Sequence, residues 1–455
     1  MRVNRYAALA VAVSSTVAVI LTVAVISTVA VSTTARAQAP AQVTVDETPM
    51  SVSVGGTPVA LEALMEHARR NAPSLALAEA QVALSDADFG RAEPLAPGNA
   101  SVLAGLGARF QGAETDLNAL VQVLQPIEIA GQRPLRFAVA RAARRTRERH
   151  LDGAREHVHH QIHAGYHAAL AARRQAEVAR RLAYFARELV QVAGRRAATG
   201  EASPLAERLA EADAAQARQH EVAAVQAYRD ACLALAEVAG WPAASPPEPI
   251  GELPTPRSAP ALSTLLAVAS RHNPDLLLHR AELEEAELRV ELAHRDAWPN
   301  PELGLRYAYE GAPGGGAPEH VLMGLVRFSI PSFALNQAAV AGSSAERDVA
   351  EARRDAMAAV IEIRLERLRS AVDAAAERVV GYGADILPRF EENLTLLRRA
   401  FELGEIDVLR VSVALTRFLQ VQDEALGAHV DYFTAVSALE AEVGEEIWPD
   451  GAAGQ

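Results

Sequence analysis

The stretch "LVQVLQPIEIAGQRPLRFAVARAARR", Leu120 to Arg145, changes period part-way along. Up to Gln125 it alternates as a strand does, with Leu120, Gln122 and Leu124 on one side and Val121, Val123 and Gln125 on the other. Pro126 follows, then Gly131-Gln132, and then an Ala/Arg run with no breaker for dozens of residues. The same passage recurs 205 positions later in "GLVRFSIPSFALNQAAVAGSSAERD", Gly324 to Asp348. A chain that twice takes a short strand through a proline into a very long helix invites a search for a repeat.

Further pairs supply one. "HARRNAPSL" (67–75) matches "VASRHNPDL" (268–276), with Pro73 over Pro274; Pro126 and Gln132 match Pro331 and Gln337. "RRAATGEASPL" (195–205) matches "RRAFELGEIDVL" (398–409), which sets Gly200-Glu201 over Gly404-Glu405. The spacing stays nearly constant, so the reading is a duplication. It gives an export segment (1–38), an extended segment (39–57) and a first repeat (58–240). A proline-rich linker (241–260), a second repeat (261–446) and a short tail (447–455) follow.

Each half reads helix, strand pair, very long helix, turn, helix. The first helix is predicted over Val59–Arg91 and its counterpart over Ala261–Ala297. "PELGLRYAYE" (301–310) puts Leu303, Leu305, Tyr307 and Tyr309 on one face against Gly304, Arg306, Ala308 and Glu310. "VLMGLVRFSI" (321–330) groups Leu322, Val326, Phe328 and Ile330 opposite Arg327 and Ser329, and a Gly-rich loop joins the two strands. The first half repeats this over about 100–126, the second over about 301–331. Such hairpins fit a membrane β-barrel, with four strands too few to close one, or a small soluble sheet packed on helices; periodicity leaves both open.

The helices behind the hairpins favour the larger object. Arg133 to Thr199 carries only Pro134, acceptable in a first turn, and Asn336 to Leu403 only Pro388. A rod of that length, about 100 Å, must pack on neighbours throughout, so the molecule reads as elongated, helical and oligomeric.

Composition agrees. Of 455 residues half are hydrophobic but only 5% aromatic, which suits closely packed Ala-rich helices. The formal net charge of −13 gives no electrostatic reason to bind nucleic acid, and all 44 basic residues are arginine. At the N-terminus Arg2 and Arg5 precede an apolar Val/Ala/Ile stretch and "ARAQA", with cleavage expected after Ala37 or Ala39; a retained membrane anchor is the alternative. The single cysteine, Cys232, excludes an intramolecular disulfide and reads as a small core residue. No phosphate-binding glycine loop, nucleophile–base set or cofactor motif is present, so neither an enzyme nor a cofactor is expected.

"QPIEIAGQR", "FSIPSFALNQAAVA" and the stretch from Leu397 to Gly444 beginning "LRRAFELGEIDVLRVS" together resemble the TolC-like outer-membrane efflux proteins, closest in appearance to the heavy-metal branch. The likeness covers about 58–446. It implies a mainly α fold with a membrane β-barrel portion: a homotrimer with a 12-stranded barrel in a Gram-negative outer membrane, in contact with its lipid, and a helical tunnel across the periplasm. It also implies a passive exit duct for an inner-membrane pump of the resistance-nodulation-division type, joined through a periplasmic adaptor protein. The cargo would be heavy-metal cations or small organic compounds. A type I secretion duct and a periplasmic long-helix adaptor are the alternatives.

On this resemblance Pro126 and Pro331 mark strand-to-helix junctions at the membrane surface. Leu303, Leu305, Tyr307, Tyr309 and Phe328 belong to the barrel exterior. The turns at Gly200 and Gly404 become periplasmic tips, where Glu201, Glu405 and Asp407 form a cation-favouring ring and Arg410 a tip salt bridge. The plain alternative is that these charges only solvate exposed turns. "HLDGAREHVHHQIHAGYH" offers His159, His163 and His167 on one helical face, a spacing that can bind Zn, Cu or Ni but is also common on helix surfaces.

Overall fold

The computed structural model describes residues 51–94, 96, 98–312, 316–333, 335–382 and 386–448. The export segment expected over 1–38 lies outside these residues. β1 (Thr57–Val59) leads into α1 (Leu61–Asn71) and α2 (Pro73–Ala92). The sequence reading predicts one helix here; the structure breaks it at Pro73, because the residue before a proline is driven to extended geometry, and Ala72 sits at φ −61°, ψ 125°. β2 (Ser101–Gln111) and β3 (Glu114–Pro126) form the first hairpin, followed by α3 (Gln132–Ala198) and α4 (Pro204–Ala239).

The order then runs again: β4 (Pro247–Pro249), α5 (Leu262–His272), α6 (Pro274–Arg295), β5 (Glu302–Glu310), β6 (Glu319–Arg327), α7 (Gln337–Tyr382), α8 (Ile386–Glu402) and α9 (Val408–Val443). The break predicted nowhere in 261–297 falls at Pro274, where Asn273 caps α6 by accepting from Leu276 N–H at 2.7 Å. The single rod expected over 336–403 is described as two helices. Pro388 lies in the first turn of α8, where its missing N–H costs nothing. β6 ends at Arg327, so Phe328 and Pro331 lie in the irregular segment beyond it, whereas Pro126 is the last residue of β3.

Two sheets exist among the described residues. β1 and β4 pair in parallel, an element the proline-rich linker gave no reason to expect. Glu248 fixes it: one carboxylate oxygen accepts from Ser53 Oγ (2.8 Å), Val54 N–H (2.9 Å) and Gly56 N–H (2.6 Å), a set of partners that offsets its burial. The other sheet has the antiparallel order β2-β3-β5-β6, so the two hairpins join side by side and the outer edges of β2 and β6 stay open.

Alanine and aliphatic side chains fill the helical layer. Leu64, Ile162, Tyr166 and Leu235 bring α1, α3 and α4 together; Leu265, Leu365, Tyr432 and Leu439 do the same for α5, α7 and α9. Two tyrosines tie this core to the straps between helices. Tyr166 hydroxyl donates to the Ile250 carbonyl at 2.6 Å, and Tyr432 hydroxyl accepts from Arg257 N–H at 2.8 Å. Further along, Phe185, Leu189, Phe401, Val408 and Val411 close the far end of the bundle. On α7, Ile363 is 70% and Val380 68% exposed, apolar side chains left uncovered by the described residues.

Candidate functional site: the helical tips and the sheet wall

The two helical turns have the same construction. α3 ends at Gly200 (φ 78°), where Gly200 N–H reaches Ala197 O and Glu201 N–H reaches Arg196 O. α8 ends at Gly404 (φ 76°), with Gly404 N–H on Phe401 O and Glu405 N–H on Ala400 O. Left-handed glycine after the last helical turn satisfies carbonyls that would otherwise be orphaned. Ser203 then caps α4 through Leu205 N–H, and Asp407 caps α9 through Arg410 N–H at 2.9 Å.

The structure brings the two turns together. Arg196 donates to the Phe401 carbonyl at 2.7 Å and lies over the Phe401 ring at 5.4 Å. Nearby, Arg398 pairs with Glu188 at 3.0 Å. Glu201, Glu405 and Asp407 are all exposed at this end. Asp407 meets Arg410 through the backbone amide. The Arg410 side chain lies along an open groove on α9 with Leu409, Val413 and Arg417. The bridging role of Arg196 is not legible in the sequence, because its acceptor is a backbone carbonyl on another helix, more than 200 positions away.

Four histidines of α3, His159, His160, His163 and His167, sit among packed neighbours, while His150 and His157 are exposed. His167 stacks on Phe433 of α9 with ring centres 4.0 Å apart, and His163 tilts against His167 at 4.7 Å. His159 Nε2 approaches Glu446 at 3.0 Å, and His160 is buried with Glu156 and Glu440 carboxylates at 3.8 and 4.0 Å. Burial, reinforced by the neighbouring imidazoles, pushes His160 down to about 4 and His163 down to about 3. Among the described residues no three His, Cys, Asp or Glu side chains converge as a metal ligand set. On the face that the spacing offers to a metal, His167 is taken up by its stacking on Phe433 and His159 by Glu446. Cys232 is fully buried, and burial pushes its thiol up to about 11.

Strand register sorts the second sheet into two faces. Val102, Val123, Leu305 and Gly324 form one row across it, and Ala104, Val121, Tyr307 and Leu322 the next. A third row is Leu106, Ala119, Tyr309 and His320, and Gln125, Leu303 and Val326 share that side. This face carries no Asp, Glu, Lys or Arg. Its aromatics gather at one end, where Tyr307 hydroxyl and His320 Nδ1 are 2.6 Å apart. The opposite face holds Arg109, Asp116, Gln122, Arg306, Glu310 and Arg327. Strands of nine to thirteen residues with an uncharged outer face and a polar inner one have the dimensions of a barrel wall in a membrane. No described helix is long and apolar enough to cross a membrane.

Comparison with known proteins agrees with this geometry. The chain is 26% identical over 333 residues to the cobalt-zinc-cadmium resistance protein CzcC of Cupriavidus metallidurans, covering 70% of this chain and 75% of that one. The chain resembles the TolC-like outer-membrane efflux proteins in sequence and fold. Its fold matches the outer-membrane protein VceC of Vibrio cholerae with TM-score 0.64 at 17% identity, over 85% of this chain and 97% of that one. It also matches the CmeC outer-membrane channel of Campylobacter jejuni with TM-score 0.66 at 15% identity, over 86% and 87%. No protein-family model matches the chain.

Proposed function

We propose that this chain is the passive exit duct of a tripartite efflux system and that its cargo is heavy-metal cations. The observation that carries the duct reading is the four-stranded sheet, uncharged on one face and open at both edges, continuous through the Pro126 junction with a 67-residue helix. Strand edges cannot stay unpaired in hydrocarbon, so β6 of one copy must pair with β2 of the next; three copies close a 12-stranded wall. The exposed apolar positions of α7 then find partners on the neighbouring copy. The tips, with Glu201, Glu405 and Asp407 exposed, form a cation-favouring entrance and the surface met by a periplasmic adaptor and, through it, an inner-membrane pump of the resistance-nodulation-division type.

The metal cargo rests on the relative, whose printed name concerns cobalt, zinc and cadmium resistance. The test is a susceptibility panel on a deletion strain and its complemented parent, setting Co, Zn, Cd, Cu, Ag and Ni against dyes, detergents and antibiotics. Sensitivity confined to metals is the expected result. Sensitivity to organic compounds with metal tolerance unchanged would refute the cargo and leave the duct.

A further inference from the structure

The inner face of the sheet carries its charges unevenly. At one end Glu302 pairs with Arg327, and towards the other Arg109 pairs with Glu310. Between them, four residues from each of Glu302 and Glu310 and so about 13 Å along the strand, stands Arg306. Its direct cross-strand neighbours are Gln122 and Met323, and its diagonal ones Leu120, Leu124, Val321 and Leu325, none of them charged. Arg306 has no carboxylate within ion-pair distance among the described residues, and its Nε is buried without a hydrogen-bond partner. Beside it the wall is notched, an opening of about 250 Å³ where Gly105, Gly107 and Ala308 supply no bulk. The Arg306 guanidinium thus places a positive charge in this middle belt with no carboxylate at ion-pair distance among the described residues, the nearest acid of the opening, Glu310, being paired with Arg109.

We infer that Arg306 is a selectivity residue of the barrel lumen, giving its middle a preference for small anions over cations. The inference rests on the barrel reading above, since only there does this face line a lumen. Three copies around one axis add their fields, and a narrow water-filled passage between apolar walls focuses them. The duct then has a sequence of opposite fixed charges, with acids at the entrance tips and arginine midway through the membrane. A cation that has passed the tips meets repulsion in the barrel and does not settle there, which suits a conduit that must release its cargo.

The test reads the local potential directly. Cys232 is fully buried, so a cysteine introduced at Gln122, beside Arg306, is the accessible thiol of the assembled channel. The full-length Gln122→Cys protein is reconstituted in lipid vesicles and treated with anionic sulfonatoethyl or cationic trimethylammonioethyl methanethiosulfonate. The ratio of the two rates is taken relative to that for a small thiol in solution. A ratio of about five in favour of the anionic reagent is expected. It should fall to about one with Arg306→Gln and persist with Arg306→Lys, which also shows that a substituted barrel still assembles. An unchanged ratio in the Arg306→Gln protein, or no anionic preference at the outset, overturns the inference. Leu305→Cys, on the other face, is the control for the barrel itself: labelling there from water, with Gln122→Cys inert, sinks the barrel reading and the inference with it.

Discussion

Arg196→Met tests whether the two tips of a protomer act as one body. The substitution keeps the aliphatic stem and removes the guanidinium that donates to Phe401 O and covers its ring. A hydrogen bond from a charged donor contributes about 1.5–3 kcal/mol and a cation–π contact at an exposed site about 0.5–1 kcal/mol. Arg196 is partly exposed, so the lower ends apply and the expected loss is about 2 kcal/mol. That loss concentrates on the second turn, where Gly404 N–H shares the Phe401 carbonyl with Arg196 and Glu405 N–H bonds Ala400 O. Amide exchange at Gly404 and Glu405 should accelerate about 30-fold, while Gly200 and Glu201, whose acceptors lie in their own turn, change less than about threefold. In planar bilayers the same variant should dwell longer in high-conductance states, since a tip freed from its neighbour is easier to part. Exchange unchanged at Gly404, or raised equally in both turns, would refute the coupling.

Asp407 separates capping from selectivity: Asp407→Ala should lose about 1 kcal/mol of α9 stability and speed Arg410 amide exchange, whereas Asp407→Asn keeps the cap and lowers only the cation preference of single channels. Glu405→Gln, which caps nothing, should lower that preference with no change in exchange. His160 and His163 have folded-state values far below the ordinary 6.5, so the unfolded chain binds more protons at mildly acid pH; their contribution is complete above about 6.5 and is lost as pH falls towards 4 and then 3. Thermal melts should therefore fall between pH 7 and 5, by about 2 kcal/mol for His160 alone, and His160→Leu should flatten the profile. Gln132 and Gln337 make the same local bond, each side-chain oxygen accepting from the amide two residues back, at 3.1 and 2.9 Å. Gln132 goes on to Asn300 and the Arg295 carbonyl within the chain, while Gln337 stands at the open edge. Gln337→Ala should reduce the oligomer seen by native mass spectrometry at unchanged helicity, and Gln132→Ala, 1% exposed, should cost the protomer about 2 kcal/mol.

The hairpins and long helices could be read from residues because they depend on local rules. Period-two alternation in 301–310 and the absence of breakers behind Pro134 need no tertiary knowledge. The breaks at Pro73 and Pro274 obeyed an equally local rule, but the apolar pattern continues in phase on either side and hides them. The β1–β4 pair could not be seen, since three-residue strands carry no period and their register is set by Glu248 reaching back to Ser53–Gly56. The histidines show the limit at the candidate site. Helical spacing places His159, His163 and His167 on one face, yet whether that face meets water, metal or a neighbour depends on Phe433, 266 positions later. Arg306 shares its strand face with Glu310 in the sequence, and only the register shows that its cross-strand neighbours are all uncharged.

The open edges of β2 and β6 have a genetic consequence. In the proposed trimer, a chain whose β6 edge cannot pair does not merely fail alone; it enters the assembly and leaves a gap that intact copies cannot seal. In a ring of three, equal expression of sound and edge-defective chains leaves only about one complete ring in eight. Alleles that damage the edge should thus be dominant over the wild type, whereas alleles that prevent the chain from folding, and so from joining a ring, should be recessive.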